Sequence, residues 1–177
     1  MVRTISYICA LALSLVGAAA IAQDSSTNRV DTKTDWNIFV ENEPKSCWGV
    51  APPKDQQLTR NGQPDPNARR DETLLMVSYI PSQSVNGQVS FTGGYPIAPG
   101  STVTVTIGDT SVEMTTIEGE WAWADTSEDD ARLVEAMKRG NDAVVTARST
   151  RGATTRDTFS LLGFTAAVDE AAQRCTS

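Results

Sequence analysis

The last part of the sequence constrains the fold more than any other stretch. The run from Asp157 to Leu161 predicts a short strand, and Gly163 predicts a turn that leads directly into a helix. Small and apolar residues then recur at helical spacing and share one stripe of that helix: Phe164, Ala167, Val168, Ala171 and Cys175. The thiol of the last cysteine therefore points toward the packed face, where it can anchor the C-terminus to the body of the domain.

The N-terminus has the three parts of a secretory signal peptide over residues 1–22. Arg3 supplies the positive charge, Ile5 to Val16 form the apolar run, and Ala20-Ile21-Ala22 is a small-residue cleavage site. An uncleaved membrane anchor is the alternative, but the polar residues that follow at once favour cleavage after Ala22. We therefore expect a periplasmic or extracellular protein with no stable membrane span after cleavage.

Two of the three cysteines remain after this cleavage, Cys47 and Cys175, and they allow one pairing. An oxidising compartment outside the cytoplasm favours a disulfide bond between them. Closing so long a loop contributes up to about 5 kcal/mol in the chain-entropy model. Two buried free thiols are the alternative. We expect the disulfide Cys47–Cys175.

The charge balance opposes binding to polyanions. Without Arg3 the chain has 14 Lys and Arg side chains against 22 Asp and Glu, which gives a net charge of −8. A protein of this charge is repelled by phosphate backbones and by anionic membranes. We expect no nucleic-acid partner.

Strict alternation predicts a β-hairpin in the middle of the chain. Val103, Val105 and Ile107 alternate with threonines, and Gly108-Asp109 fits a two-residue turn. If residue 107 pairs with 110, then 105 faces 112 and 103 faces 114. The apolar sides of both strands then match, as a stable register requires.

A helix is predicted from Thr126 or Ser127 to Arg139. Ser127 and Asp130 resemble a capping box, and Gly140 fits the position after the last turn. About eight short strands separated by turn residues surround this helix. The fold class is therefore mainly β: a small antiparallel β-sandwich or barrel-like domain with one internal helix and a C-terminal helix.

Composition divides the chain into a signal peptide, a short lead-in and one domain. Residues 23–34 are polar and without periodicity, which predicts a mobile lead-in to a single domain over 35–177.

Within that domain, residues 52–72 are rich in Pro, Asn, Gln and charged residues. Loops of this length are usually functional or disordered. We favour a disordered or mobile loop, with partner contact as the weaker alternative.

The sequence lacks the residues of most familiar catalytic sites. It has no histidine, which excludes Ser-His-Asp and Cys-His catalysis and any His-ligated metal. Neither Cys-x-x-Cys spacing nor a glycine-rich phosphate loop is present.

The acidic cluster of Asp125 and Glu128 to Asp130 suits calcium, but acidic residues at a helix start are what the helix dipole favours. We expect a protein that is not an enzyme, with no metal and no cofactor. An enzyme using carboxylates alone is the least favoured alternative.

Trp121 and Trp123 are the first candidate binding residues. They share one face of a predicted strand over Glu120 to Ala124. Exposed indoles would form a stacking platform for sugars or a protein hot spot, and buried ones would belong to the core. We favour the core or a sheet interface for this pair, and the core for Trp36 and Trp48.

Arg148, Arg151 and Arg156 are the second candidate group, because they flank one predicted turn. Guanidinium groups match carboxylates and phosphates, so this turn could bind an anionic glycan or an acidic protein face. The favoured alternative is a solvated hairpin end in which an arginine pairs with Asp157 or a glutamate.

Four segments of the chain resemble the invasion-associated locus B (IalB) family. They are Gly93 to Gly100 (GGYPIAPG), Ala131 to Gly140 (ARLVEAMKRG), Thr146 to Ser149 (TARS) and Asp157 to Ala167 (DTFSLLGFTAA). The resemblance implies an exported alphaproteobacterial protein with a small β-sandwich-like domain and no established catalytic residues. Some members of that family are linked to host-cell invasion, and others to envelope integrity.

Two functions follow from the sequence as hypotheses. The first is a non-enzymatic exported protein that binds an envelope or host component, most simply a protein. The alternative is a carbohydrate- or peptidoglycan-binding module that uses Trp121, Trp123 and nearby arginines.

Overall fold

Two antiparallel sheets and two helices make up the described part of the chain. The structure is a computed structural model, and it describes residues 28–65 and 68–176. The predicted signal peptide lies outside these residues. Along the chain the strands are β1 (Arg29–Lys33), β2 (Trp36–Asn42), β3 (Lys45–Ala51), β4 (Asp55–Arg60), β5 (Gln63–Pro64), β6 (Leu74–Ile80), β7 (Val85–Thr92), β8 (Val103–Ile107), β9 (Thr110–Met114), β10 (Thr116–Glu118), β11 (Trp121–Trp123), β12 (Asp142–Arg148) and β13 (Ala153–Ser160). The helices are α1 (Ser127–Arg139) and α2 (Phe164–Thr176).

The sheets form an open sandwich. The seven-stranded sheet has the order β1-β2-β3-β6-β7-β11-β10, and the six-stranded sheet has the order β5-β4-β13-β12-β8-β9. Neither sheet closes on itself, so the mainly β prediction is confirmed as a sandwich and not as a barrel. The rings of Phe91 and Phe159 meet between the sheets, edge to face, with their centroids 6.2 Å apart.

The predicted hairpin is confirmed residue by residue. Ile107 pairs with Thr110, Val105 with Val112, and Val103 with Met114. All but Thr110 of these side chains are buried. The alternation of apolar and polar residues is enough to predict this register, because a slip by one residue would turn the whole apolar face of one strand toward solvent.

Helix α2 packs its apolar stripe on strands β2 and β3. The five predicted stripe residues are all buried: Phe164, Ala167, Val168, Ala171 and Cys175. Gly49 of β3 faces the helix, where an added Cβ would contact Ala167 and Val168. Trp36 lies on the same side, 4.8 Å from the Phe164 ring, and its indole Nε1 donates to the Ser160 carbonyl at 2.9 Å.

The predicted disulfide Cys47–Cys175 is present, with 5.7 Å between the two Cα atoms. It joins β3 to the last turn of α2 across 128 residues of sequence. The C-terminal helix is therefore held to the seven-stranded sheet both by packing and by a covalent bond.

Helix α1 has the predicted bounds but a different N-cap. The hydroxyl of Thr126 accepts a hydrogen bond from the backbone N–H of Asp129 at 3.1 Å. Asp130 does not complete a capping box with Ser127, because its carboxylate accepts from the backbone N–H of Val89 at 2.7 Å. Gly140 ends the helix in extended backbone. A side chain there would overlap Ile107, so close packing, and not a left-handed turn, explains this glycine.

Two segments predicted to be mobile are ordered in part. Arg29–Lys33 of the predicted lead-in form β1 and pair with β2. Within the predicted loop over 52–72, Asp55–Arg60 form β4, which pairs with β13 along its whole length. The prediction failed because β4 lies next to the edge strand and presents mostly polar side chains, so it lacks the hydrophobic periodicity of a strand.

Among the described residues, neither helix has the length and apolar character needed to cross a membrane.

Candidate binding surface

The tryptophan pair lies on the outer face of the seven-stranded sheet. Ala122, between the two indoles, is buried in the core. Trp121 and Trp123 point the other way and are half-buried, opposite Thr92 and Ser90 of β7. Their rings stack on each other, with the centroids 6.2 Å apart and the planes 22° apart. The favoured interpretation, the core or a sheet interface, would bury both indoles, whereas the structure places them partly exposed on the outer face of the sheet.

Trp48 is also on this outer face, against the expectation that it belongs to the core. Strand alternation explains its position, because Cys47 and Gly49 turn toward α2. Trp48 is half-buried and stacks on Phe39, its direct cross-strand neighbour in β2. The ring centroids are 5.5 Å apart and the planes are 5° apart. Of the two tryptophans predicted as core, only Trp36 is fully buried.

Three of these aromatic side chains, Phe39, Trp48 and Trp121, border one shallow groove of about 450 Å³ on the outer face of the sheet. We call it the aromatic groove. Its apolar lining comes from strands that are distant in sequence: Phe39, Trp48, Val50, Leu74, Met76 and Trp121. Register brings them together, since Val50 pairs with Met76 and Leu74 pairs with Thr92, which in turn pairs with Trp121.

The rim of the aromatic groove carries negative charge. Glu41 and Glu72 line it together with Asn37 and Pro52. Within residues 28–65 and 68–176, no ion pair or side-chain hydrogen bond engages either glutamate. The surface thus combines an apolar floor with unpaired carboxylates, which complements an apolar segment that also carries a positive charge.

The predicted arginines lie elsewhere. Arg148 and Arg156 are exposed on the outer face of the six-stranded sheet, on the opposite side of the sandwich from Trp121 and Trp123. Arg151 is exposed in the turn between β12 and β13. The structure therefore does not bring the five predicted binding residues into one site.

Asp157 pairs with an arginine that sequence reasoning did not consider. Its side chain is 0% exposed and receives one hydrogen bond on each carboxylate oxygen from Arg70, which is 9% exposed. Arg156 cannot make this contact, because neighbouring strand residues point to opposite faces. Arg70 also lies 6.0 Å from the centroid of the Tyr95 ring. Burial raises the pKa of Tyr95, whose hydroxyl is 2.5 Å from the Thr155 hydroxyl.

The acidic cluster is engaged in hydrogen bonds that hold the fold. Asp125 accepts from the backbone N–H groups and the hydroxyls of Thr115 and Thr116, and these bonds, led by the Thr115 hydroxyl, lower its pKa. Burial raises the pKa of Asp130, while the bond from Val89 acts in the opposite direction. Over the described part of the chain, no three acidic or cysteine side chains are grouped as metal ligands would be.

Comparison with known proteins identifies the family. The crystal structure of invasion associated protein b from Bartonella henselae shares this fold, with a TM-score of 0.52 and 16% sequence identity. The match covers 83% of this chain and 98% of that chain. The sequence has no significant match among curated proteins. The family described as invasion associated locus B (IalB) protein matches residues 56–172, more than half of the sequence. The chain therefore belongs to the IalB family.

Proposed function

We propose that this chain is an exported, non-enzymatic protein that binds a protein of the envelope or of a host through its aromatic groove. The observation that carries this proposal is the apolar outer face of the seven-stranded sheet. The solvated face of an antiparallel sheet is ordinarily polar, and alternation then gives a regular pattern of apolar and polar residues. Here the outer face carries Phe39, Trp48, Leu74, Met76 and Trp121 instead.

Aromatic and methionine side chains favour a protein partner. Tryptophan is enriched among the residues that dominate binding energy, and methionine is enriched in interface cores. Stacking holds the three rings of the groove in defined positions, since Phe39 and Trp48 stack on each other and Trp121 stacks on Trp123. Rings that are already fixed lose less conformational entropy when a partner covers them.

The rim charge suggests which partner segment fits. Glu41 and Glu72 would attract Lys or Arg side chains and repel an acidic segment. We therefore propose a partner segment that places an aliphatic or aromatic anchor on the groove floor and a basic side chain beside these carboxylates.

The composition of the groove supports binding rather than catalysis. Its lining contains the carboxylates of Glu41 and Glu72 but no hydroxyl, thiol, amine or imidazole side chain, so most nucleophile types are missing from it. Export is supported by the predicted signal peptide over residues 1–22 and by the family's association with invasion. The two cysteines joined as Cys47–Cys175 suit an oxidising compartment such as the periplasm or the extracellular space.

A glycan is the second candidate ligand, because Trp121 and Trp123 are stacked and partly exposed. Their rings could lie against sugar rings of peptidoglycan. Arg148 and Arg156 would not contribute to such a site, since they lie on the opposite face of the sandwich.

Affinity capture from gently cross-linked envelopes tests the proposal. The tagged mature protein should retain a specific protein, and the variant Glu41→Lys with Glu72→Lys should lose it. Glu113→Lys is the matched control, because Glu113 is exposed on β9 of the other sheet. Retention with the peptidoglycan fraction alone would favour the glycan, and equal capture by both charge variants would contradict the proposed groove.

A further inference from the structure

A second cavity lies at one end of the six-stranded sheet, where β4 ends and the β12–β13 turn passes the Gly93 to Pro96 segment. Its volume is about 330 Å³, at the lower end of the range for small-ligand sites. Four arginines line it: Arg60, Arg69, Arg70 and Arg151. The whole chain has 15 Lys and Arg side chains and a net charge of −7, so this concentration is unusual for its surface.

Two of these guanidinium groups are fixed by the protein. Arg60 donates from Nε to Asp65 at 3.2 Å and from Nη1 to the Arg151 carbonyl oxygen at 2.6 Å. Arg70 donates two hydrogen bonds to the buried Asp157. Each arginine has five N–H groups, so both retain free donors after these bonds. Their formal charges, however, are balanced by Asp65 and Asp157.

Arg151 supplies a cation without a protein partner. Its side chain is exposed, and no ion pair or side-chain hydrogen bond engages it among residues 28–65 and 68–176. Because Arg60 bonds to the Arg151 backbone, the two residues lie on the same side of the cavity. This side offers several N–H donors and the unbalanced positive charge of Arg151. Arg69, exposed and likewise without an ion pair in the described ranges, adds a second unbalanced charge to the cavity lining.

The opposite charge is held next to the Gly93-Gly94 turn. Glu120 and Asp71 both line the cavity, and neither carboxylate has an ion pair within the described ranges. The Gly93 N–H donates to the Glu120 carbonyl oxygen at 3.3 Å, and the Asp71 N–H donates to the Gly94 carbonyl oxygen at 2.9 Å. Gly94 has a φ of +68°, and a side chain there would overlap the Asp71 backbone. Gly94 thus permits the close approach of the Asp71 backbone, and the hydrogen bond from the Gly93 N–H holds the Glu120 backbone beside the same turn.

We propose that this cavity binds a small zwitterion, a short peptide with both termini free. Arg60 and Arg151 would receive the terminal carboxylate, for which planar guanidinium groups provide matched donors. Asp71 and Glu120 would receive the terminal ammonium group. A ligand with one charge only would leave the other set of charges without a partner. The cavity is separate from the aromatic groove, so this proposal stands or falls independently of the proposed function.

Titration of the mature protein with alanyl-alanine and its two blocked forms tests the proposal. The free dipeptide should bind, and both the N-acetylated and the C-amidated forms should bind at least about tenfold more weakly. Arg151→Gln and Glu120→Gln should each weaken the free dipeptide by a similar factor. Arg132→Gln is the control, since Arg132 is exposed on α1 and should leave the affinity unchanged.

Three results would overturn the zwitterion site. N-acetyl dipeptide that binds as well as the free form would show a simple anion site. Equal affinity of all four proteins for the dipeptide would show that the ligand binds elsewhere. Absence of saturable binding to the folded wild-type protein would exclude the site altogether. Circular dichroism of each variant distinguishes lost binding from lost folding.

Discussion

Arg70 reaches the buried carboxylate of Asp157 and donates a hydrogen bond to each of its two oxygens. The pair is separated by 87 residues, and it ties the segment before β6 to the middle of β13. Charge and shape are matched at this contact, because a guanidinium fork fits both oxygens of a carboxylate. A segment that composition describes as mobile is therefore held by an internal ion pair.

Removing either Arg70 or Asp157 alone should strongly destabilise the folded protein. In Arg70→Ala the Asp157 carboxylate stays buried without a partner, so we expect the free energy of unfolding to fall by about 3–5 kcal/mol. The double variant Arg70→Met with Asp157→Leu should lose much less than the sum of the single losses, since both charges are gone. Urea denaturation of the wild type, Arg70→Met, Asp157→Leu and the double variant measures this cycle. A loss below about 1 kcal/mol for Arg70→Ala would contradict a buried, structural pair.

The disulfide should account for a large part of the stability. Because Cys47–Cys175 closes a long loop, replacing both residues with serine should lower the free energy of unfolding by about 2–5 kcal/mol. Guanidinium denaturation under non-reducing conditions gives this difference. Thiol titration of the denatured, unreduced protein should find no free thiol in the mature chain. One or two titrated thiols per chain would show that the bond is absent from the protein as isolated.

Gly163 should tolerate no side chain. It has a φ of +88°, and a Cβ would overlap the carbonyl oxygen of Lys33, the last residue of β1. Gly62 has a similar φ of +76° but nothing within 4 Å of the Cβ position, so it is the matched control. Gly62→Ala should cost about 1–2 kcal/mol for the left-handed backbone alone. Gly163→Ala should lower the free energy of unfolding clearly more than Gly62→Ala in the same thermal or urea experiment. Equal losses in the two variants would show that the turn at Gly163 can move away from β1 without cost.

Asp125 should make stability depend on pH in the acid range. Hydrogen bonds from Thr115 and Thr116 lower its pKa in the folded protein below the value of about 3.9 for an unfolded aspartate. Its contribution is therefore present above the unfolded pKa and lost as the pH falls through the folded pKa. Asp125→Asn should be less stable than the wild type at neutral pH, and the difference should shrink in acid. Urea midpoints measured from neutral pH to about pH 3 test this, and a difference independent of pH would contradict it.

Local patterns predicted those parts of the fold in which neighbours in sequence are also neighbours in space. The hairpin register from Val103 to Met114 follows from alternation, and the buried stripe of α2 follows from helical spacing. The single disulfide follows from the number of cysteines and the predicted compartment. The hydrophobic effect acts on these patterns directly, so they can be recognised without knowing the topology.

The candidate surface could not be predicted in this way. Phe39, Trp48, Met76 and Trp121 meet through pairings between strands that are distant in sequence. An aromatic residue in a short strand with two apolar faces gives no sign of which face meets the core, and Trp48 was placed wrongly for this reason. The polar strand β4 and the ion pair of Arg70 were missed because neither carries a hydrophobic signal.

The central claim is that a partner protein covers the aromatic groove, and site-specific photo-crosslinking tests it most directly. A photoreactive phenylalanine analogue would replace Pro52, an exposed residue of the groove, or Thr154, an exposed residue on the outer face of the six-stranded sheet. After irradiation in intact cells, we predict one discrete protein adduct for position 52 and none for position 154. Glu41→Lys with Glu72→Lys should abolish that adduct. The same adduct from both positions, or from position 154 alone, would contradict the account.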